Sequence, residues 1–322
     1  MFPPNYWAID QAVFWEEWHN GGMKIFVAGG TGFVGVAMVK HLAARGHELV
    51  LLARAPVSID VPNGARITGG DVFNPNLAEF MRGCGAVINL VGIIRAFPAR
   101  GITFEKLHVE AAHAIVDAAK IAGVQRYLHM SANGVRPDGI SEYQRTKSRA
   151  EAYVKASGLD WTIFRPSLIF GDPGEKMEFC KQLFLNFRSA PVIPVFGDGN
   201  YRMQPVHVDN VARAFTGAIE KPETAGRVFH LGGDVTYSYR EILNMIFLSA
   251  GKQPRPKLPV PWFLARPAFR LLGRFPAFPA TAEQIDMLLE GNTVPENDFK
   301  KEFGISLVPF TVENLTYLKK YA

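Results

Sequence analysis

Residues 24–45 read Lys24-Ile25-Phe26-Val27-Ala28, then Gly29-Gly30-Thr31-Gly32-Phe33-Val34-Gly35, then an apolar run from Val36 to Arg45. The first five residues, rich in β-branched and aromatic side chains, predict a strand. The run after the glycines has helical spacing and stops at Gly46, a residue suited to a helix C-terminus. Gly30 to Gly35 matches G-x-G-x-x-G, and here it stands between a strand and a helix, the context that gives the pattern meaning. In such a turn glycines let the backbone approach a diphosphate, and the first helical N–H groups bind it. Gly29, Thr31, Gly32, Phe33, Val34 and Gly35 are therefore the expected cofactor contacts, against the plainer reading of a merely tight strand-to-helix turn.

Outward from this turn, short apolar runs alternate with helical patterns. Strands are expected at 24–28, 48–53, 65–68, 86–91, 126–131 and 161–165, with helices at 34–45, 76–81, 104–122 and 143–157. That order implies an α/β fold with a doubly wound parallel sheet of Rossmann type. After Pro166 the alternation fades into Gly- and Pro-punctuated chain, and a smaller mixed C-terminal substrate lobe is expected. A helix at 208–220, a strand at 227–231 and a helix opened by the capping box Ser238 to Glu241 return later. The domain reading is 23–165 for nucleotide binding and 166–322 for the rest. Residues 1–22, with Trp7, Trp15 and Trp18, precede the first strand, as an interaction arm or as codons upstream of a start at Met23.

The second strand ends Leu51-Leu52-Ala53-Arg54, where a carboxylate would accept hydrogen bonds from a ribose 2′-OH. Arg54 instead suits a 2′-phosphate, so NADP(H) is preferred with NAD(H) as the alternative. Asp71 and Val72 after the third strand, and Asn89, Val91 and Gly92 at the end of the fourth, should line the same groove.

Ser141-Glu142-Tyr143-Gln144 forms a second capping-box pattern, which puts Tyr143 and Lys147 on one helix face. A neighbouring ammonium is expected to favour the phenolate and lower the tyrosine pKa. These motifs, with Arg165-Pro166-Ser167, resemble the extended or atypical branch of the short-chain dehydrogenase/reductase superfamily. The likeness runs over most of the chain from Met23. It is similar in particular to the epimerase/dehydratase-like group that holds the accessory Rossmann subunit of respiratory complex I and its bacterial relatives. Gln204 to Asp209 and Thr281 to Ile285 carry that part of the likeness. The resemblance implies that Tyr143 is the general acid/base, that Lys147 orients it and binds the ribose, and that Pro166 and Ser167 touch the cofactor. It also implies a hydroxyl after the fifth strand. The sequence departs there: Met130-Ser131-Ala132-Asn133-Gly134 is less serine-rich than the family pattern, so either Ser131 supplies the hydroxyl or Ala132 stands in its place.

A net charge of +5 over 322 residues, with 48% hydrophobic and 20% charged residues, fits an ordinary globular chain and gives no sign of a nucleic-acid reader. Cys84 and Cys180 show no metal spacing, and His207 with Asp209 is read as packing and capping, Asp209 capping the helix after it; no metal site is expected. No apolar run is long enough to span a bilayer, and residues 1–22 lack a signal-peptide pattern, so a cytoplasmic setting is expected. Between 251 and 279 six cations and no acid interleave with Trp262, Phe263, Phe269 and Phe275. The stretch reads equally as a peripheral contact with the inner face of a membrane or a membrane complex, or as a core-packing helix. Two functions follow: an oxidoreductase or epimerase-type enzyme acting on the carbonyl or secondary alcohol of a small molecule, or a non-catalytic NADPH-binding subunit.

Overall fold

The computed structural model describes residues 22–54, 64–273, 275 and 278–322. Met1 to Gly21 and Arg274 thus lie outside the described residues. The first half runs β1 (Lys24–Ala28), α1 (Phe33–Ala44), β2 (Glu48–Ala53), β3 (Ala65–Gly69), α2 (Leu77–Met81), β4 (Ala86–Asn89), α3 (Ala111–Ala122), β5 (Arg126–Met130), α4 (Glu142–Lys155) and β6 (Asp160–Pro166). Then follow β7 (Ile169–Phe170), α5 (Phe179–Phe187), β8 (Ile193–Phe196), β9 (Arg202–Met203), β10 (Val206–His207), α6 (Val208–Ile219) and β11 (Arg227–Leu231). The chain ends with β12 (Tyr237–Ser238), α7 (Tyr239–Ser249), β13 (Lys257–Val260), α8 (Trp262–Leu272), α9 (Ala282–Glu290), α10 (Phe299–Glu302) and a 3₁₀ segment, Glu313–Tyr321.

Seven parallel strands form one sheet in the order β11-β6-β5-β4-β1-β2-β3. The order reverses between β1 and β4, so a crevice opens beyond their C-terminal ends, where ligands of such sheets sit. Strand alternation builds the two faces. Ile25, Val27, Leu49, Leu51, Ile88, Leu128 and Phe164 point to the side covered by α1 and α6. Phe26, Ala28, Val50, Leu52, Val87, Tyr127 and Ile163 point to the side covered by α2, α3 and α4, with Cys84 among them. A third core, around Phe170, Cys180, Phe184, Ile193, Ile242 and Phe247, belongs to the C-terminal lobe.

Several expectations shift in detail. The fourth strand stops at Asn89 and not Val91, because the Asn89 Oδ1 accepts a hydrogen bond from the Val91 N–H and bends the chain out of the ladder. The helix expected from Phe104 begins as a π-helical turn, Glu105–Glu110, before α3. Asp209 does not cap α6: His207 does, its Nδ1 accepting from the Asp209 N–H, while the Asp209 carboxylate meets His41 at 3.3 Å. Among the described residues no helix is long and apolar enough to cross a membrane, and no cluster of metal-ligating side chains occurs.

The sheet and the returning segment α6–β11 share one ring stack. Phe164 lies 4.1 Å from Phe215 and 5.8 Å from Phe229, centroid to centroid, and is fully buried. Phe164→Ala should cost about 3–5 kcal/mol. Urea unfolding should show this as one shifted transition, and two separate transitions would contradict the shared core.

Candidate functional site

The chain leaves β1 through Gly29 at φ +84°, packed against Leu90, a conformation that side-chain-bearing residues adopt only under strain. At Gly35 a Cβ would stand 2.3 Å from the Gly29 carbonyl oxygen and 2.5 Å from the Gly30 carbonyl carbon. α1 therefore crosses the turn backbone against backbone. Its N-cap, Gly32, is extended and has no side chain to cap with, and the first turn holds no acid. The N–H groups of Phe33, Val34 and Gly35 find no acceptor among the described residues. Free donors, a positive helix end and a cradle that a side chain would fill are the features a dinucleotide diphosphate fits.

Thr31 is half-buried beside this mouth, and Arg54 is exposed at the end of β2 with no partner among the described residues. Asp71 accepts a hydrogen bond from the Phe73 N–H at 2.9 Å, a turn-forming contact, and Val72 lies buried in the core. Two of the expected contacts, Asn89 and Ser167, also hold neighbouring chain. The Asn89 side chain is buried, its Nδ2 donating to the Tyr127 hydroxyl at 3.0 Å and its Oδ1 shaping the bend that leads to Val91 and Gly92. The Ser167 hydroxyl donates to the Gln204 carbonyl, and its N–H to the Leu231 carbonyl. Pro166 pairs with β11 at Leu231.

Ser141 caps α4 through a reciprocal capping box with Gln144. This starts the helix one residue before Tyr143 and turns Lys147 into the fold. The Tyr143 ring meets His108 at 5.3 Å and Phe104 at 5.9 Å, edge to face, and its hydroxyl has no partner among the described residues. Burial pushes the phenol up to about 12. The expected lowering by Lys147 is thus not seen, because that ammonium is directed elsewhere. Lys147 Nζ donates to the Met130 carbonyl at 2.9 Å and lies 3.0 Å from where a Cβ on Gly92 would stand. Burial draws the ammonium down to about 8, with the Glu151 charge opposing.

Two further residues, Glu151 and His108, were not singled out from sequence. Glu151, one turn beyond Lys147, is 3% exposed and is gripped by Arg165 through Nε at 2.8 Å and Nη2 at 2.6 Å. Burial pushes its carboxyl up, but the Arg165 pair and the nearby Ser131 hydroxyl outweigh it and hold it below the usual range. Ser131 Oγ is itself buried and falls short of hydrogen-bond geometry with any partner among the described residues. His108, set in the π-helical turn, joins Thr146 Oγ1 at 2.8 Å to the Ile93 carbonyl at 3.0 Å, and burial forces its pKa down to about 2. Its position in a predicted helix gave no signal; Glu151 did give one, as the next member of the row Tyr143, Lys147.

α9 closes over this helix start. Glu290 accepts from Gln144 Nε2 at 2.8 Å, and Gln284 Nε2 donates to the Ile94 carbonyl at 3.3 Å. Beside it, the Arg95 guanidinium donates to the carbonyls of Gly273, Phe275 and Phe278 at 2.9, 2.8 and 2.6 Å. Asn133 is likewise tied to Asn292 and Thr293.

Gly35→Ala should weaken nicotinamide-dinucleotide binding by more than about tenfold, since the new methyl must part the turn that would hold the diphosphate. Titration calorimetry would read it, and unchanged affinity would refute the cradle. His108 and His129 are both held neutral by burial, the latter near 3. Below an unfolded-chain value near 6.5 the unfolded state binds protons that the native state refuses, so their contribution is full above that pH and is lost as pH falls. The pair should remove about 2 kcal/mol between pH 6 and pH 5, read from urea midpoints.

The family described as NAD(P)H-binding matches residues 29–186, and the one described as RmlD substrate binding domain matches 111–268. A mitochondrial NADH-ubiquinone oxidoreductase 40 kDa subunit of Neurospora crassa is 28% identical, over 92% of this chain and 78% of its own. A 4-hydroxy-2-methyl-3-oxo-4-farnesyl-3,4-dihydroquinoline-1-oxide ketoreductase of Stigmatella aurantiaca is also 28% identical, over 88% and 91%. Among solved structures, a dTDP-glucose 4,6-dehydratase of Streptomyces venezuelae with NAD bound superposes with a TM-score of 0.71 at 19% identity, over 93% and 96%. With the glycine turn, the sheet order and these matches together, the chain holds an NAD(P)H-binding domain like those of the short-chain dehydrogenases/reductases in an epimerase/dehydratase-like fold, and its homologues include the 40 kDa-type subunit of NADH-ubiquinone oxidoreductase.

Proposed function

We propose that the chain binds NADPH and reduces a ketone on a lipophilic small molecule. The observation that carries this reading is the seat of Lys147 against Gly92, which brings the Tyr143 helix to the strand end bordering the cofactor crevice. The amides of Phe33, Val34 and Gly35 would hold the diphosphate, Arg54 the 2′-phosphate, and Lys147 the nicotinamide ribose. When bound, the nicotinamide supplies the hydride. Tyr143, protonated at neutral pH, would donate its phenolic proton to the substrate oxygen. Ser131, whose buried hydroxyl lies beside the Glu151 carboxylate, is the hydroxyl this reading assigns to hold that oxygen. The ketoreductase likeness supports the reaction class and an apolar substrate.

A second reading has its own support. The phenol is not activated by Lys147, and the 40 kDa-subunit likeness spans nearly the whole chain. In that case the nucleotide would act as a ligand that stabilises the native state. The purified chain should bind NADPH at least about tenfold more tightly than NADH, and Arg54→Ser should erase the difference. Tyr143→Phe should leave NADPH affinity unchanged and cut ketone-dependent NADPH oxidation by about a hundredfold or more. Tight NADPH binding with no turnover across a panel of lipophilic ketones would leave the second reading standing alone.

A further inference from the structure

α8 is apolar on both sides, which a surface helix tolerates only when each side meets an apolar phase. Its inner side is accounted for: Trp262 and Phe269 pack on Phe196 at 5.1 and 5.0 Å, and Phe269 on Phe278 at 4.9 Å. The Trp262 indole also donates to Asp286, which pairs with Arg266. Phe263, Leu264, Pro267, Ala268 and Leu271, at helical spacing i, i+1, i+4, i+5 and i+8, form the other side, and all are exposed. Phe263 is 74%, Leu264 65% and Leu271 56% exposed, and Leu258 on the adjoining β13 is 59% exposed. No polar side chain interrupts this stripe.

Charge identifies what covers it. From Ile242 to Ala282 the chain holds Lys252, Arg255, Lys257, Arg266, Arg270 and Arg274 and no Asp or Glu. Arg270 flanks the stripe and Lys252 lies at the end of the preceding helix; both are exposed, with no ion pair among the described residues. An apolar face with Arg270 at its edge, in a stretch of chain that holds cations and no acid, matches acyl chains beneath anionic headgroups. Eleven residues span about 16 Å, too short to cross a bilayer, so the helix must lie in its plane. We propose that the outer face of α8 docks on an anionic phospholipid surface. Arg95 ties the carbonyls just past α8 to the loop after β4, so docking seats the Tyr143 side of the molecule beside the membrane. This deepens the proposed reduction of a lipophilic ketone by naming the phase that presents it, yet it can fail separately.

The test is flotation of the full chain with vesicles of phosphatidylcholine alone and of phosphatidylcholine with phosphatidylglycerol. The expected result is binding to the anionic vesicles that weakens with salt, and a loss of about tenfold or more in Phe263→Ser/Leu271→Ser. That variant should keep its melting temperature and its NADPH affinity, which separates a failed docking face from a failed cofactor site. Failure of the unaltered chain to bind anionic vesicles, or equal binding by the variant, would overturn the proposal. A dimer dispersed by the same substitutions, with no vesicle binding, would also overturn it by assigning the face to a second copy.

Discussion

Everything at the site depends on how closely α1 passes over the end of β1. A hydrogen at Gly35 permits a backbone crossing that a methyl would block, and the crossing fixes the angle at which the helix leaves the sheet. That angle aims three unbonded amides at the reversal point of the strand order. No lysine is needed at the diphosphate, because the peptide dipoles already supply the positive potential. The sequence cost is small: a few glycines in one turn determine where the whole sheet presents its ligand.

The second half of the site solves a different problem, keeping an ammonium in a nearly dry place. Lys147 gives up hydration for one carbonyl bond and a position against bare backbone, and its depressed pKa reports the penalty. Glu151 offsets part of that penalty from the next turn, and Arg165 keeps Glu151 ionised. The pair is thus an electrostatic support for the lysine, built from a helix and the strand that follows it. His108 does comparable work without charge: it bolts the loop after β4 to α4 as a neutral ring.

Much of this was legible in the residues. β1, β2 and β11 have the expected bounds, because both faces of those strands meet apolar helices or their own edge and turn residues close them sharply. The α4 start was readable since the Ser141–Gln144 exchange is local. What escaped depends on distant partners or on backbone detail. The early end of β4 comes from one side-chain bond to the backbone two residues on, and the π-helical turn leaves no mark in the apolar pattern. The α6 cap was read as Asp209, a favoured N-cap residue, but His207 holds it and the acid turns to His41, a partner far off in sequence. α8 had been readable as core helix or as membrane helix; in the structure Trp262 and Phe269 pack on Phe196, while Phe263, Leu264 and Leu271 are exposed.

The two cysteines sit in different cores, Cys84 under the sheet and Cys180 in the C-terminal lobe. Burial lifts the first thiol to about 11 and the second well above its ordinary value. Neither can form the thiolate that alkylating reagents or peroxide attack while its surroundings stay closed. The chain therefore carries one silent sensor of opening in each half, and the rates at which the two become modified would show which part breathes first.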